Sequence, residues 1–271
     1  MADRHPVVAG RFYPGDPVQL RQTVESFLGV GREEIAPLMV MLPHAGYMYC
    51  GSIIGETLRK LRLPQSVFLL GPNHSGRGKP LSIWPEGKWL TPLGAVEVDA
   101  DLATRCLEAD AGFEANLDAH AMEHSLEVLL PFLQCRAPGI RIVPVAVALN
   151  KLEGPRAAGE AIARRIREER KAGREVAMVV SSDMNHFDDQ EVTAQKDAKA
   201  LAPLLKLLPE ELFNTVRAEG VSMCGVFPAT LALFAVRELG ASEAKLEAYG
   251  TSAAASGDLD RVVGYAGAYV W

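Results

Sequence analysis

The sequence predicts an α/β fold: a single layered α/β/α domain over residues 1–271, with a mostly parallel or mixed sheet. Three observations carry that prediction. Short, continuously apolar runs recur along the chain. Amphipathic helical stretches lie between them. No linker, repeat, charge block or low-complexity tract interrupts the series. Strands covered on both faces read as unbroken apolar runs, and strands alternating with helices stack into layers.

The elements follow in order. The first strand is 38–42, Leu38-Met39-Val40-Met41-Leu42, and a helix is expected at 51–61. A strand at 66–70 precedes helices at 100–109 and 123–133. The next strand is 141–148. Helix 155–171 begins with Pro155, in a first turn that tolerates a missing N–H, and mixes arginine with glutamate as a solvated face does. Strand 176–180 leads to helices at 191–208, 209–218 (opened by Pro209) and 227–239. From Tyr249 the chain is rich in glycine and alanine. It ends in an alternating strand, 262–270, expected to pair at a sheet edge.

Composition narrows the function. A formal charge of −6 argues against a nucleic-acid surface, because phosphate contacts need a basic patch. No apolar run approaches the roughly 20 residues of a membrane span. The opening Met1-Ala2-Asp3-Arg4-His5-Pro6 lacks the apolar core of a secretory signal, so a cytoplasmic location is expected. Four cysteines, Cys50, Cys106, Cys135 and Cys224, show no CxxC spacing, which argues against a disulfide framework or a zinc ribbon.

The histidines are placed in a pattern. His44, His74 and His186 each follow a predicted strand by two to six residues. Ligands of open α/β sheets bind outside the carboxyl ends of the strands, so three imidazoles delivered there can converge on a metal or a proton. The alternative is that each serves only a loop hydrogen bond. Asp183, three residues before His186, can orient an imidazole or cap a turn. Cys224 precedes a predicted helix, where a thiolate is favoured; a small buried hydrophobe is the other reading, and it suits Cys50, Cys106 and Cys135 better. Asn73 and His74 lie in Gly71-Pro72-Asn73-His74-Ser75-Gly76-Arg77-Gly78, which lacks both phosphate-loop spacings. Phe12, Tyr13, Tyr47 and Tyr49 can stack on a ring substrate or simply pack.

A competing motif is His120-Ala121-Met122-Glu123-His124, which reads H-x-x-E-H. On a helix it sets two histidines on one face beside a glutamate, as zinc metallopeptidases do. Pro131 limits any such helix, and Asn116 and Asp118 place His120 in an entry turn. His124 can instead line the cleft of His44 and His74, with Glu123 behind it.

Read together and in order, several strings resemble the Memo family. They are Pro43-His44-Ala45-Gly46-Tyr47, Gly71-Pro72-Asn73-His74, Glu123-His124-Ser125-Leu126-Glu127, Ser181-Ser182-Asp183-Met184-Asn185-His186-Phe187 and Met223-Cys224-Gly225. The opening Arg4-His5-Pro6-Val7-Val8-Ala9-Gly10-Arg11-Phe12-Tyr13-Pro14 and the closing Val263-Gly264-Tyr265-Ala266-Gly267-Ala268-Tyr269 are similar too, so the likeness spans essentially the whole chain. Bacterial and archaeal members are often called AmmeMemoRadiSam system protein B. The resemblance implies a fold similar to class III extradiol dioxygenases, non-haem iron enzymes that open catechol rings. It implies His44 and His74 as metal ligands, Cys224 in place of the carboxylate ligand, and His186 as the acid–base group with Asp183 beside it. A thiolate is softer than a carboxylate and suits copper, zinc or thiolate-bound iron.

Three functions follow as expectations. The first is a metal-binding, oxidoreductase-like protein holding Fe(II) or Cu, with Zn as a further candidate, through His44, His74 and Cys224. Glu123, His124, Tyr47 and Asn73 would line or support its cleft, and a small aromatic or phenolic substrate would bind there. The second is a vestigial enzyme site that binds a peptide or protein partner, such as a radical-SAM protein. The third is the zinc peptidase. None of them involves nucleic acid or a membrane.

Overall fold

A computed structural model of the chain describes residues 3–31, 35–149 and 151–271. In chain order its elements are α1 (Pro17–Leu28), β1 (Met39–Leu42), α2 (Tyr47–Leu58), β2 (Ser66–Pro72), β3 (Leu81–Ile83), β4 (Lys88–Thr91), β5 (Gly94–Val98), α3 (Ala100–Leu107), β6 (Glu114–Ala115), α4 (Asp118–Ala121), a 3₁₀ turn (Glu127–Leu129) and α5 (Leu130–Arg136). Then come β7 (Arg141–Val147), α6 (Glu153–Lys171), β8 (Val176–Ser181), β9 (His186–Asp188), α7 (Gln190–Leu205), α8 (Pro209–Ala218), α9 (Val226–Glu238), β10 (Ala244–Thr251), α10 (Ala253–Ser256) and β11 (Val262–Val270).

Among the described residues the strands form a mixed sheet in the order β10-β11-β1-β8-β2-β7-β3-β6, flanked by helices. Its centre is parallel: β1 pairs β8, β8 pairs β2 and β2 pairs β7. Every residue of β1, β2 and β8 is buried, as continuous apolarity predicted. Successive side chains go to opposite faces. Met39, Met41, Phe68, Leu70, Met178 and Val180 join a core with α6 and α9. Val40, Leu42, Val67, Leu69, Ala177 and Val179 join a second core with α1, α2 and α5.

Register decides what the carboxyl ends present. Leu42 lies opposite Ser181, and Leu70 opposite Val180. The chain segments leaving β1, β8 and β2 therefore emerge side by side, and they carry His44, Asp183 and His74.

Two expectations need correction. No continuous helix spans 123–133. The chain turns after α4, because the Glu123 carboxylate accepts the N–H of Ser125, two residues on, instead of leaving it to a helix. A helix restarts only at α5, with Pro131 in its first turn. The terminal strand is also not at an edge. β11 lies between β10 and β1, antiparallel to both, and β10 takes the edge. No helix among the described residues is long and apolar enough to cross a membrane.

Candidate metal centre

His44 follows β1 and is 2% exposed. Its backbone N–H donates to Asp183 Oδ1 at 2.8 Å. Its Nδ1 lies 2.7 Å from Ser181 Oγ, and that hydroxyl already donates to the Ser125 carbonyl at 2.6 Å. Ser181 must then accept from the ring, which puts the imidazole proton on Nδ1 and leaves the Nε2 lone pair free. Burial, reinforced by the neighbouring imidazoles, holds the His44 pKa well below its usual value, so the ring is neutral at pH 7.

His74 is oriented by another route. Its Nδ1 lies 2.9 Å from Glu123 Oε1, and its backbone N–H also donates to Glu123. A carboxylate accepts, so Nδ1 carries the proton and Nε2 is again free. Burial pulls the His74 pKa down, but Glu123 outweighs it and holds the ring above its ordinary value. Glu123 is buried. Desolvation alone would raise its pKa, but the donors from His74 and Ser125 lower it to about 2.

Cys224 sits just before α9 and is half-buried. Its Sγ lies 3.4 Å from His44 Nε2 and accepts the Asp183 N–H at 3.2 Å. Burial, then the nearby Asp183 carboxylate, push the thiol well up, so the sulfur is protonated at neutral pH. One ligand atom each of His44, His74 and Cys224 lies within 4.8 Å of the others. His74, Glu123 and His124 form a second group of that kind. There, however, Glu123 already accepts from His74 and Ser125, and sharing Nδ1 of His74 would cost that bond.

The other expected residues fall around this cluster. The His124 ring stacks on His74, with centroids 5.0 Å apart, and meets His44 edge-on at 5.6 Å. His186 Nδ1 donates to the Ser222 carbonyl at 2.9 Å, so its Nε2 is free as well. Phe187, next to it, has a φ of 68°, a left-handed conformation that is rare for an aromatic and recurs at functional loops. Asp183 is buried, with its second oxygen 4.0 Å from His44 Nε2. Tyr47 is a wall: its hydroxyl is committed to the Val128 carbonyl. Asn73 shapes its own loop, accepting from Ser75 and donating to Arg77. His120 is not brought to the cluster. It is fully buried, packed edge-on against Trp84 and Trp89, with Nε2 on the Ser82 carbonyl. α4 also ends before Glu123, so the H-x-x-E-H residues do not share a helical face.

A cavity of about 700 Å³ opens beside the cluster, with His124, Asp183 and His186 in its lining. Residues 10–14 form another part of its wall, which brings the Phe12 and Tyr13 that the sequence offered as ring-stacking or packing aromatics to the cavity; they belong to a strap, residues 4–14, whose anchoring the sequence did not disclose. The strap is anchored by Glu127, a fully buried carboxylate that accepts from Arg4, the N–H groups of Val7 and Val8, and the Tyr13 hydroxyl. Arg4 in turn donates to the carbonyls of His120 and Glu123 and lies over the Trp89 ring. A lone glutamate inside the apolar run Leu126-Glu127-Val128-Leu129-Leu130 was the available signal, since a buried charge demands partners.

Comparison with known proteins places the chain among relatives. A family model described as Memo-like protein matches residues 4–269. A MEMO1 family protein of Methanopyrus kandleri is 38% identical, with 97% of each chain covered. One from Aquifex aeolicus is 36% identical, with 98% of each covered. Among solved structures, the uncharacterized protein JW3007 of Escherichia coli K12 matches with a TM-score of 0.51 at 15% identity, over 84% of this chain and 98% of that one, a likeness of fold.

Proposed function

The chain belongs to the Memo-like protein family, and from that premise we propose that its cleft holds one redox-active metal ion, iron or copper, through His44, His74 and Cys224. The reading is of an oxidoreductase-like centre acting on a small phenolic molecule. One observation carries it: both candidate histidine ligands have their remote nitrogen tied down, to Ser181 and to Glu123, while a thiol sits 3.4 Å from the free nitrogen of His44. Metal-binding histidines are oriented in this way by second hydrogen bonds. The donor set fits a borderline or soft ion, and zinc would occupy it too. When bound, the ion would supply Lewis acidity and one-electron chemistry.

The chain's own residues would do the rest. Asp183 fixes the His44 backbone and therefore the ring position. His186, at the cavity wall with Nδ1 committed to the Ser222 carbonyl, would take a phenolic proton at Nε2. Phe12 and Tyr47 add ring carbon to the cavity wall.

Metal content after anaerobic purification tests the reading. Wild type should carry close to one iron or copper per chain, Cys224→Ser should lose it, and His120→Ala should keep it. No stoichiometric metal in any preparation would overturn it. A second reading has one observation behind it: Met48, at the cavity lining, is 70% exposed, as a docking residue would be. There the cleft serves a protein partner, such as a radical-SAM protein, and pull-down of that partner would survive Cys224→Ser.

A further inference from the structure

The cavity beside the cluster is far larger than one aromatic ring needs. Its volume of about 700 Å³ compares with the roughly 150 Å³ of apolar cavity that accepts a benzene molecule. It lies within the range, about 300–1,000 Å³, of sites that enclose drug-sized ligands. Its lining is also lopsided. His124, Asp183 and His186 come from the loops of the histidine cluster. Phe12 and Tyr13 come from the strap, and Thr23 and Phe27 from α1. The hydroxyls of Tyr13 and Tyr47 are spent on Glu127 and Val128, so these residues offer the cavity ring carbon rather than hydrogen bonds. Phe12 is held edge-on against His124, with centroids 5.0 Å apart, so the strap and the histidine cluster meet there.

We infer that the ligand is an extended aromatic of two or three rings, with its hydroxylated ring at the His124–Asp183–His186 end and its unsubstituted rings against the strap and α1. The orientation of the polar ring rests on the proposed metal-centre reading. The demand for further rings rests on the cavity alone. A monocyclic catechol would leave most of the apolar wall in contact with water, and burying a phenyl-sized surface is worth at least tenfold in affinity.

The probes are catechol and 2,3-dihydroxybiphenyl, titrated calorimetrically without oxygen against metal-free protein and protein given one equivalent of Zn(II). Wild type should bind dihydroxybiphenyl at least about tenfold more tightly than catechol. Thr23→Trp, at a half-buried helix position that fills the α1 end, should bring that ratio towards one. Phe12→Ala, which removes wall instead of filling space, should also lower the ratio and guards against a Thr23 variant that misfolds. A wild-type ratio near one, or a ratio unmoved by both variants, overturns the inference. Zinc bound at unit stoichiometry without a preference would overturn this inference and leave the metal reading standing. A preference that persists in protein unable to bind zinc would sink the metal reading and uphold this one.

Discussion

Three imidazoles, His44, His74 and His186, are all held as the Nδ1–H tautomer by acceptors on separate loops. This sets what each can do, since with Nδ1 committed the Nε2 is the nitrogen left to bind a metal or exchange a proton. The acceptor is replaceable for His74. Glu123→Gln should weaken metal binding by about 10- to 100-fold while leaving stoichiometry intact, read by competition with a chelator. Cys224 makes a separate prediction. Its thiol is pushed up by burial and keeps its proton at pH 7, so metal binding must expel that proton. Titrations of wild type with metal in buffers of different ionisation enthalpy should show about one proton released from this thiol per ion bound. The histidines and Cys224 were legible in the sequence because each stands at the end of an apolar run or before a helix. Ser181 and Ser125 were not, because their role depends on strand register. Gly225 belongs with them. A Cβ there would run into the Ser182 side chain and come within 2.7 Å of the Ser181 carbonyl.

At the scale of elements, legibility followed burial. β1, β2, β7 and β8 are buried on both faces over nearly their whole length, and each was read to within about two residues. β6 has two residues, both exposed, and β3 has only three, too few to show a period. α1 buries only Leu20 and Val24, so its apolar stripe is thin. α6 and α9 were both read, but their closeness was not. A Cβ on Gly159 of α6 would meet the Leu231 carbonyl and lie 2.9 Å from Phe234 Cβ on α9. Gly159→Val should therefore force the helices apart, cost about 1–3 kcal/mol and lower the melting temperature by several degrees in calorimetry.

For the whole molecule, buried titratable groups set the acid limit of stability. His120 is buried and neutral, its pKa lowered by desolvation from 6.5 to about 3. The unfolded chain binds that proton first, so stability falls as pH drops from 6.5 towards 3. Glu123, lowered from 4.5 to about 2, contributes stability that is complete above pH 4.5 and lost as pH falls towards 2. Urea titrations of metal-free protein should show both ranges. His120→Phe should make the upper range shallower, with His44 and His124 carrying the remainder, and should leave the lower one, whereas Glu123→Gln should abolish the lower one. The Arg4–Glu127 pair acts at this scale too, since it joins the strap to the segment bearing His124. Arg4→Met strands a fully buried carboxylate and should cost about 3–5 kcal/mol in the same titration.

β11 gives the fold an order in time. Until residues 262–270 are laid between β10 and β1, β1 remains an open edge, with its backbone groups bare along one side. The strand that leads into His44 is thus secured by a strand more than 200 residues later in the chain. A growing chain must keep that edge from pairing with a neighbour until residues 262–270 have been made.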